Sequence, residues 1–215
     1  MITYWLLLLP TALIAYTMGS LSTLVLASNF VFRRNLRKLG SGNDFLSNFK
    51  RVYGMKGALK LLAVEVVKDV IPIILGGILL GTKGHSDAGK AFAAFCLVLG
   101  RLFPVYYGFR GSHAAAPLIV SALILSPSLG IVSAIFILGV LLATKYISLA
   151  SVIGALLTAA ASVLIVEDNL IVTLVALTAA LVIVKHIPAL RRIIKGQETK
   201  YSFREDLTYK FDEGF

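Results

Sequence analysis

The sequence predicts an all-α, polytopic membrane protein of about seven transmembrane helices, and three observations lead there. Of its 215 residues, 58% are hydrophobic and 15% charged, too little polar surface to coat a water-soluble globule. Uncharged stretches recur at lengths that suit a bilayer, the first running over residues 1–32 until Arg33; roughly 20 apolar residues cross a hydrocarbon core as a helix. The basic residues gather beside those stretches instead of spreading over a surface, which is how loops on one side of a membrane are marked.

Taken in order, the predicted spans are 3–28, 58–80, 90–108, 114–126, 128–144, 147–166 and 170–187. No basic residue precedes Trp5, so the first span is read as a retained helix and not as a cleaved secretory leader. The second holds Glu65, Lys68 and Asp69 at helical spacing, where i to i+3 and i to i+4 partners neutralise one another. The third ends in an aromatic and glycine-rich stretch. Residues 114–144 carry no charge, but Ser126-Pro127-Ser128 interrupts them. Proline cannot continue the backbone ladder, so two short helices joined by a tight turn are expected. The last two spans flank Glu167-Asp168-Asn169.

Charge sets the orientation. Arg33, Arg34, Arg37, Lys38, Lys50, Arg51 and Lys56 follow the first span, and Arg191, Arg192, Lys195, Lys200, Arg204 and Lys210 follow the last. Both segments are expected in the cytoplasm, which requires an even number of crossings between them and leaves the N-terminus outside and the C-terminus cytoplasmic. The basic-free loop around Asp168 then faces outward. The same reading accounts for the formal net charge of +10 without nucleic acid, for which no binding module is present. Cys96 is the lone cysteine, and the scattered histidines lack metal-ligand spacing, so neither a disulfide nor a metal site is expected. Residues 1–195 are read as a single transmembrane domain and 196–215 as a polar cytoplasmic tail. Nothing in the pattern sets an oligomeric state.

Three segments carry chemistry, and the expected topology puts all of them on the cytoplasmic face. In the first, Gly40-Ser41-Gly42-Asn43 is followed by Asn48 and Arg51. Glycines flanking a serine let backbone amides and a hydroxyl converge on an oxyanion, and arginine adds a planar cationic fork. A plain surface turn between two helices fits the same residues. The second runs from Gly100 through Pro104-Val105 and Gly108-Phe109 to Arg110-Gly111-Ser112-His113 and Ala114-Ala115-Ala116. Its small residues allow amides at a helix start to face an anion, while its aromatics and arginines also suit a membrane interface. The third holds His186, Pro188, Arg191, Arg192, Gly196 and Glu198, a cluster that also fits lipid headgroups. A carboxylate among cations orients an arginine or accepts a hydroxyl proton.

In this order the three segments resemble the bacterial acyl-phosphate-dependent glycerol-3-phosphate acyltransferase family, over nearly the whole chain. The family's Gly-Ser-Gly-Asn, then Thr-Asn and arginine, is matched by Gly40-Ser41-Gly42-Asn43, Ser47-Asn48 and Arg51, with serine for threonine. Its second motif begins Gly-His, passes through Pro-Val and Gly-Phe and ends Lys-Gly-Gly-Lys-Gly; this chain has Gly100-Arg101, Pro104-Val105, Gly108-Phe109 and Arg110-Gly111-Ser112-His113-Ala114. Ser148-Leu149-Ala150-Ser151 matches a further segment, as do His186, Arg192, Gly196 and Glu198, with Ala189 in place of the family's asparagine.

The resemblance implies a seven-helix inner-membrane enzyme with a cytoplasmic site, passing an acyl group from acyl phosphate to the 1-hydroxyl of glycerol 3-phosphate without metal or other cofactor. Carried over residue by residue, it implies that Arg51 and Arg110 clamp phosphate. Ser41, Ser151 and His186 position substrates, Glu198 organises the tail, and Gly40, Gly42, Asn43, Asn48, Gly111 and Ser112 complete the cradles. His113 replaces a lysine and removes a fixed cation from the loop, and Ser112 and Ala114 stiffen it. A lipid- or phosphate-binding membrane protein of the same fold without catalysis, or a transporter using Glu65, Lys68 and Asp69, are the other classes open to this sequence.

Overall fold

The computed structural model describes residues 2–26, 45–109, 111, 114–198 and 200–201. Secondary structure among these residues is helical throughout. The helices are α1 (Ile2–Ser20), α2 (Thr23–Leu26), α3 (Phe45–Gly81), α4 (Ser86–Leu102), α5 (Ala115–Leu125), α6 (Pro127–Thr144), α7 (Ile147–Ile165) and α8 (Asn169–Ile194), with a 3-10 turn at Val105–Tyr107. Lipid offers no hydrogen bonds, so an apolar chain must satisfy its backbone within each segment, and helices do that.

The chain divides into two compact units, one formed by Met1–Leu21 with Val66–Lys200 and the other by Ser22–Glu65 with Tyr201–Phe215. The second holds α2 and the Phe45–Glu65 stretch of α3. The first is a helical bundle in which α4 packs on α1, α5 and α8, α6 on α5 and α7, and α7 on α8. Small residues let these helices approach closely, the usual device where lipid gives no hydrophobic drive to pack. A Cβ on Gly19 would meet the Leu97 carbonyl, and one on Gly100 the Tyr16 carbonyl, so α1 and α4 touch backbone to backbone. One buried cluster joins Val98 and Leu102 of α4 to Leu118, Ile137, Ala150, Ala155, Ala179 and Val182. Another joins Ala15, Ile73, Ala93, Leu97 and Val120. Between α6 and α7, Thr158 Oγ1 donates to Ser133 Oγ at 2.9 Å, both side chains being buried.

Most predicted spans keep their place with shifted ends. The first expectation, 3–28, breaks after Ser20, and α2 follows Leu21-Ser22. The second, 58–80, begins earlier, at Phe45: Lys50, Arg51 and Lys56 read as loop by charge but are good helix formers. The third, 90–108, closes at Leu102, short of Pro104 and the left-handed Gly108. The proline turn stands where expected, with Ser126 extended and Pro127 as the first residue of α6, a position whose missing N–H costs nothing. The last, 170–187, continues through Pro188 to Ile194. Asp168 caps its start by accepting from the Leu170 N–H at 2.8 Å.

Among the described residues, four helices are long and apolar enough to cross a membrane: Ser86–Tyr107, α6, α7 and α8. α5 is a shorter apolar helix, as is Leu6–Ser20 within α1. In α3, Lys68 Nζ donates to the Leu21 carbonyl at 2.8 Å and lies 3.4 Å from Asp69 Oδ1, so this charge is held by backbone and carboxylate together.

Candidate active site

Helix α8 ends in a turn that sends the chain back on itself. The Gln197 N–H donates to the Arg192 carbonyl at 2.8 Å and the Gly196 N–H to the Ile193 carbonyl at 2.9 Å. Gly196 sits between them at φ 67°. This paired bonding is a Schellman cap, and it needs a left-handed residue at the glycine. The reversal carries Glu198 against two helices at once. Its Oε1 accepts from Ser148 Oγ in the first turn of α7 at 2.9 Å, and its Oε2 accepts from Arg192 Nε in the last turn of α8 at 2.6 Å. Both oxygens are thus engaged in tying the ends of α7 and α8 together, and the carboxylate side chain is only 11% exposed while the arginine is 47% exposed.

One turn along α7, the buried Ser151 donates its hydroxyl to the Ile147 carbonyl at 2.9 Å, leaving oxygen lone pairs to accept. On α8, His186 is buried, with Nδ1 at 2.8 Å from the Val182 carbonyl. A carbonyl only accepts, so Nδ1 carries the proton. Ala150 and Val182, next to these two side chains in their helices, belong to the same buried cluster. Ser148, Arg192 and Glu198 therefore meet where α7 begins and α8 ends, with Ser151 about one turn further along α7 and His186 about two turns before the end of α8.

The loop between α4 and α5 is fixed by three neighbours. Tyr16 of α1 donates its hydroxyl to the Phe103 carbonyl at 2.7 Å. Lys185 of α8 donates Nζ to the Phe109 carbonyl at 3.0 Å and lies 4.5 Å from the centre of the Phe103 ring. Gly111 rests on the last carbonyls of α4: a Cβ there would collide with those of Arg101 and Leu102. Gly108 and Phe109 are both left-handed, φ 59° and 60°, a conformation uncommon for a bulky residue.

Of the sequence-predicted site residues, Gly40, Ser41, Gly42, Asn43, Arg110, Ser112 and His113 lie outside the described residues. Asn48 and Arg51 fall in the first turns of α3, with side chains outside the description. Gly111, Ser151, His186 and Glu198 all fall in the first unit, Ser151 in the second turn of α7, His186 within α8, Glu198 in the turn beyond α8 and Gly111 against the end of α4. Sequence reasoning passed over Ser148 as a partner of Glu198, and over Lys185. Each had a signal: Ser148 precedes Ser151 by one helical turn, and Lys185 stands in α8 with no other Lys, Arg, Asp or Glu from Asn169 through Leu190.

The glycerol-3-phosphate acyltransferase family profile matches residues 9–196. A glycerol-3-phosphate acyltransferase of Francisella philomiragia subsp. philomiragia is 31% identical over 187 residues, 86% of this chain and 89% of the relative. One of Thermoanaerobacter pseudethanolicus is 29% identical over 197 residues, 92% of this chain and 97% of the relative. In fold, the chain is similar to the crystal structure of PlsY (YgiH), an integral membrane glycerol 3-phosphate acyltransferase, in its glycerol 3-phosphate form: TM-score 0.74 at 24% identity, over 91% of this chain and 96% of that one. The lysophosphatidic acid form of that protein matches at the same TM-score, over 91% and 95%.

Proposed function

The chain belongs to the glycerol-3-phosphate acyltransferase family, and from that membership we propose that it transfers an acyl group from an acyl phosphate to the 1-hydroxyl of glycerol 3-phosphate, a step of phospholipid synthesis. The observation that carries this reading is the extent of the family match: residues 9–196 take in the Gly40–Arg51 segment, the Gly100–Ala114 segment and His186 through Gly196.

In the proposed reaction the 1-hydroxyl oxygen attacks the acyl carbon of the mixed anhydride and a tetrahedral oxyanion forms. The bond from acyl carbon to phosphate oxygen breaks, the hydroxyl proton passes to the departing phosphate, and the products are lysophosphatidate and inorganic phosphate. Two phosphorylated substrates need converging cations and amides, and the oxyanion needs fixed donors. We assign phosphate binding to Gly40, Ser41, Gly42, Asn43, Asn48 and Arg51, and to Arg110, Gly111, Ser112 and His113. Ser151 and His186 orient substrate, the serine through its remaining lone pairs. Glu198, with both oxygens engaged by Ser148 and Arg192, holds α7 to α8 so that Ser151 and His186 keep their places. A dedicated general base is then unnecessary, because the leaving phosphate takes the proton.

The apolar helices support a multi-pass membrane protein. We place it in the cytoplasmic membrane as one transmembrane domain of residues 1–195 crossing about seven times, N-terminus outside, with the polar 196–215 tail and the site facing the cytoplasm. The acyl tail reaches the site sideways from lipid. The test is direct: purified protein given palmitoyl phosphate and glycerol 3-phosphate forms lysophosphatidate, and folded protein that forms none contradicts the reading.

A further inference from the structure

Lys185 is the one Lys, Arg, Asp or Glu of α8 before Arg191. A lysine near the end of a membrane helix ordinarily extends along its stem to headgroups. This one is turned inward to the protein instead: its Nζ is held by the Phe109 carbonyl at 3.0 Å and by the face of Phe103 at 4.5 Å. The bonded carbonyl belongs to a left-handed phenylalanine after a left-handed glycine, a backbone conformation that persists only where its surroundings impose it. The next residue in the chain is Arg110, and the one after it, Gly111, is seated on the end of α4. Lys185 also directly precedes His186, so a single turn of α8 carries both the residue tied to the loop and a residue assigned to substrate positioning.

We propose that Lys185 is a positioning residue for phosphate binding: by holding the Phe109 carbonyl against α8, its ammonium fixes where the chain enters Arg110 and Gly111. The inference rests on the acyltransferase reading, which supplies the phosphate. It also brings an ammonium from α8 to the Phe109 end of the loop in which His113 stands in for a lysine.

The experiment compares wild type with Lys185→Met, Lys185→Gln and Lys185→Arg, each first checked for folding by size exclusion and thermal unfolding in detergent. Steady-state rates are then measured with palmitoyl phosphate and glycerol 3-phosphate varied in turn, which shows whether the loop serves the donor or the acceptor phosphate. The methionine and glutamine variants raise KM for one of the two substrates about tenfold and leave the other KM and kcat within about threefold. The arginine variant, which keeps charge, donor and ring contact, restores KM to within about threefold of wild type. Both KM values unchanged in the methionine and glutamine variants would overturn the proposal. So would a loss confined to kcat or folded yield, the signature of a merely structural tie, or an arginine variant as impaired as methionine. Should wild type transfer no acyl group, the function reading fails, and protection against thermal unfolding by glycerol 3-phosphate or inorganic phosphate decides this inference separately. Protection lost in Lys185→Met supports it, whereas protection equal in the two proteins, or absent from both, overturns it.

Discussion

Ser148 Oγ donates to Glu198 Oε1 at 2.9 Å across 50 positions of chain, joining the start of α7 to the turn beyond α8. The contact exists because Gly196 reverses the chain after Ile194, so its effects are those of a clamp and not of an isolated surface pair.

Releasing the clamp in stages separates its parts. Ser148→Ala removes one neutral donor to a carboxylate and costs about 1–2 kcal/mol of stability. Glu198→Gln keeps an acceptor for Ser148 but loses the ion pair with a half-exposed arginine, worth about 0–1 kcal/mol. Glu198→Ala releases both helices and lowers acyl transfer by about tenfold or more. Thermal unfolding and initial rates on the three variants check this; an alanine variant with wild-type activity would show that the clamp does not hold the site.

Two glycines of the α4–α5 loop should respond differently. At Gly111 a Cβ would meet two backbone carbonyls, whereas at Gly108 nothing lies within 4 Å and the demand is only the left-handed φ of 59°. Gly108→Ala therefore costs about 1 kcal/mol with activity largely retained. Gly111→Ala displaces the loop and reduces activity about tenfold or more. Equal effects at the two positions would mean that close approach at Gly111 is not what fixes the loop.

The bond from Thr158 to Ser133 lies inside the bundle, away from the proposed site, and tests packing alone. Thr158→Val leaves volume nearly unchanged and removes the donor, for a loss of about 0.6–1.7 kcal/mol. Unfolding in mixed micelles measures the loss, and the acyltransferase rate should stay at the wild-type value.

Much of the helical frame was legible because lipid makes the rule simple: uncharged runs become helices, and Ser126-Pro127 divides one from the next. The ends were less legible. Charge alone hid the early start of α3, since Lys50, Arg51 and Lys56 are at home in a helix as well as in a loop, and Pro188 hid the last turns of α8. At the site, Glu198 among cations was legible as a carboxylate that orients an arginine, but its partner Ser148 is set by the packing of α7 on α8, which no local pattern encodes. Lys185 was visible as an isolated charge, whereas its target, a backbone carbonyl, leaves no mark in sequence.

Orientation can be read by cysteine labelling in intact cells, because the native Cys96 is buried. A membrane-impermeant thiol reagent labels Glu167→Cys, in the exposed loop before α8, and spares Ser41→Cys and Gln197→Cys until the cells are opened. Labelling of Ser41→Cys or Gln197→Cys from outside would overturn the cytoplasmic placement.

The most direct measurement of the central claim counts both products of one reaction. Purified protein in detergent or liposomes is given palmitoyl phosphate and glycerol 3-phosphate, and inorganic phosphate and lysophosphatidate are followed together. The account predicts that they rise in equal amounts and that neither rises when the Arg51→Ala variant replaces wild type. Phosphate released without lysophosphatidate, or neither product from folded wild-type protein, would contradict it.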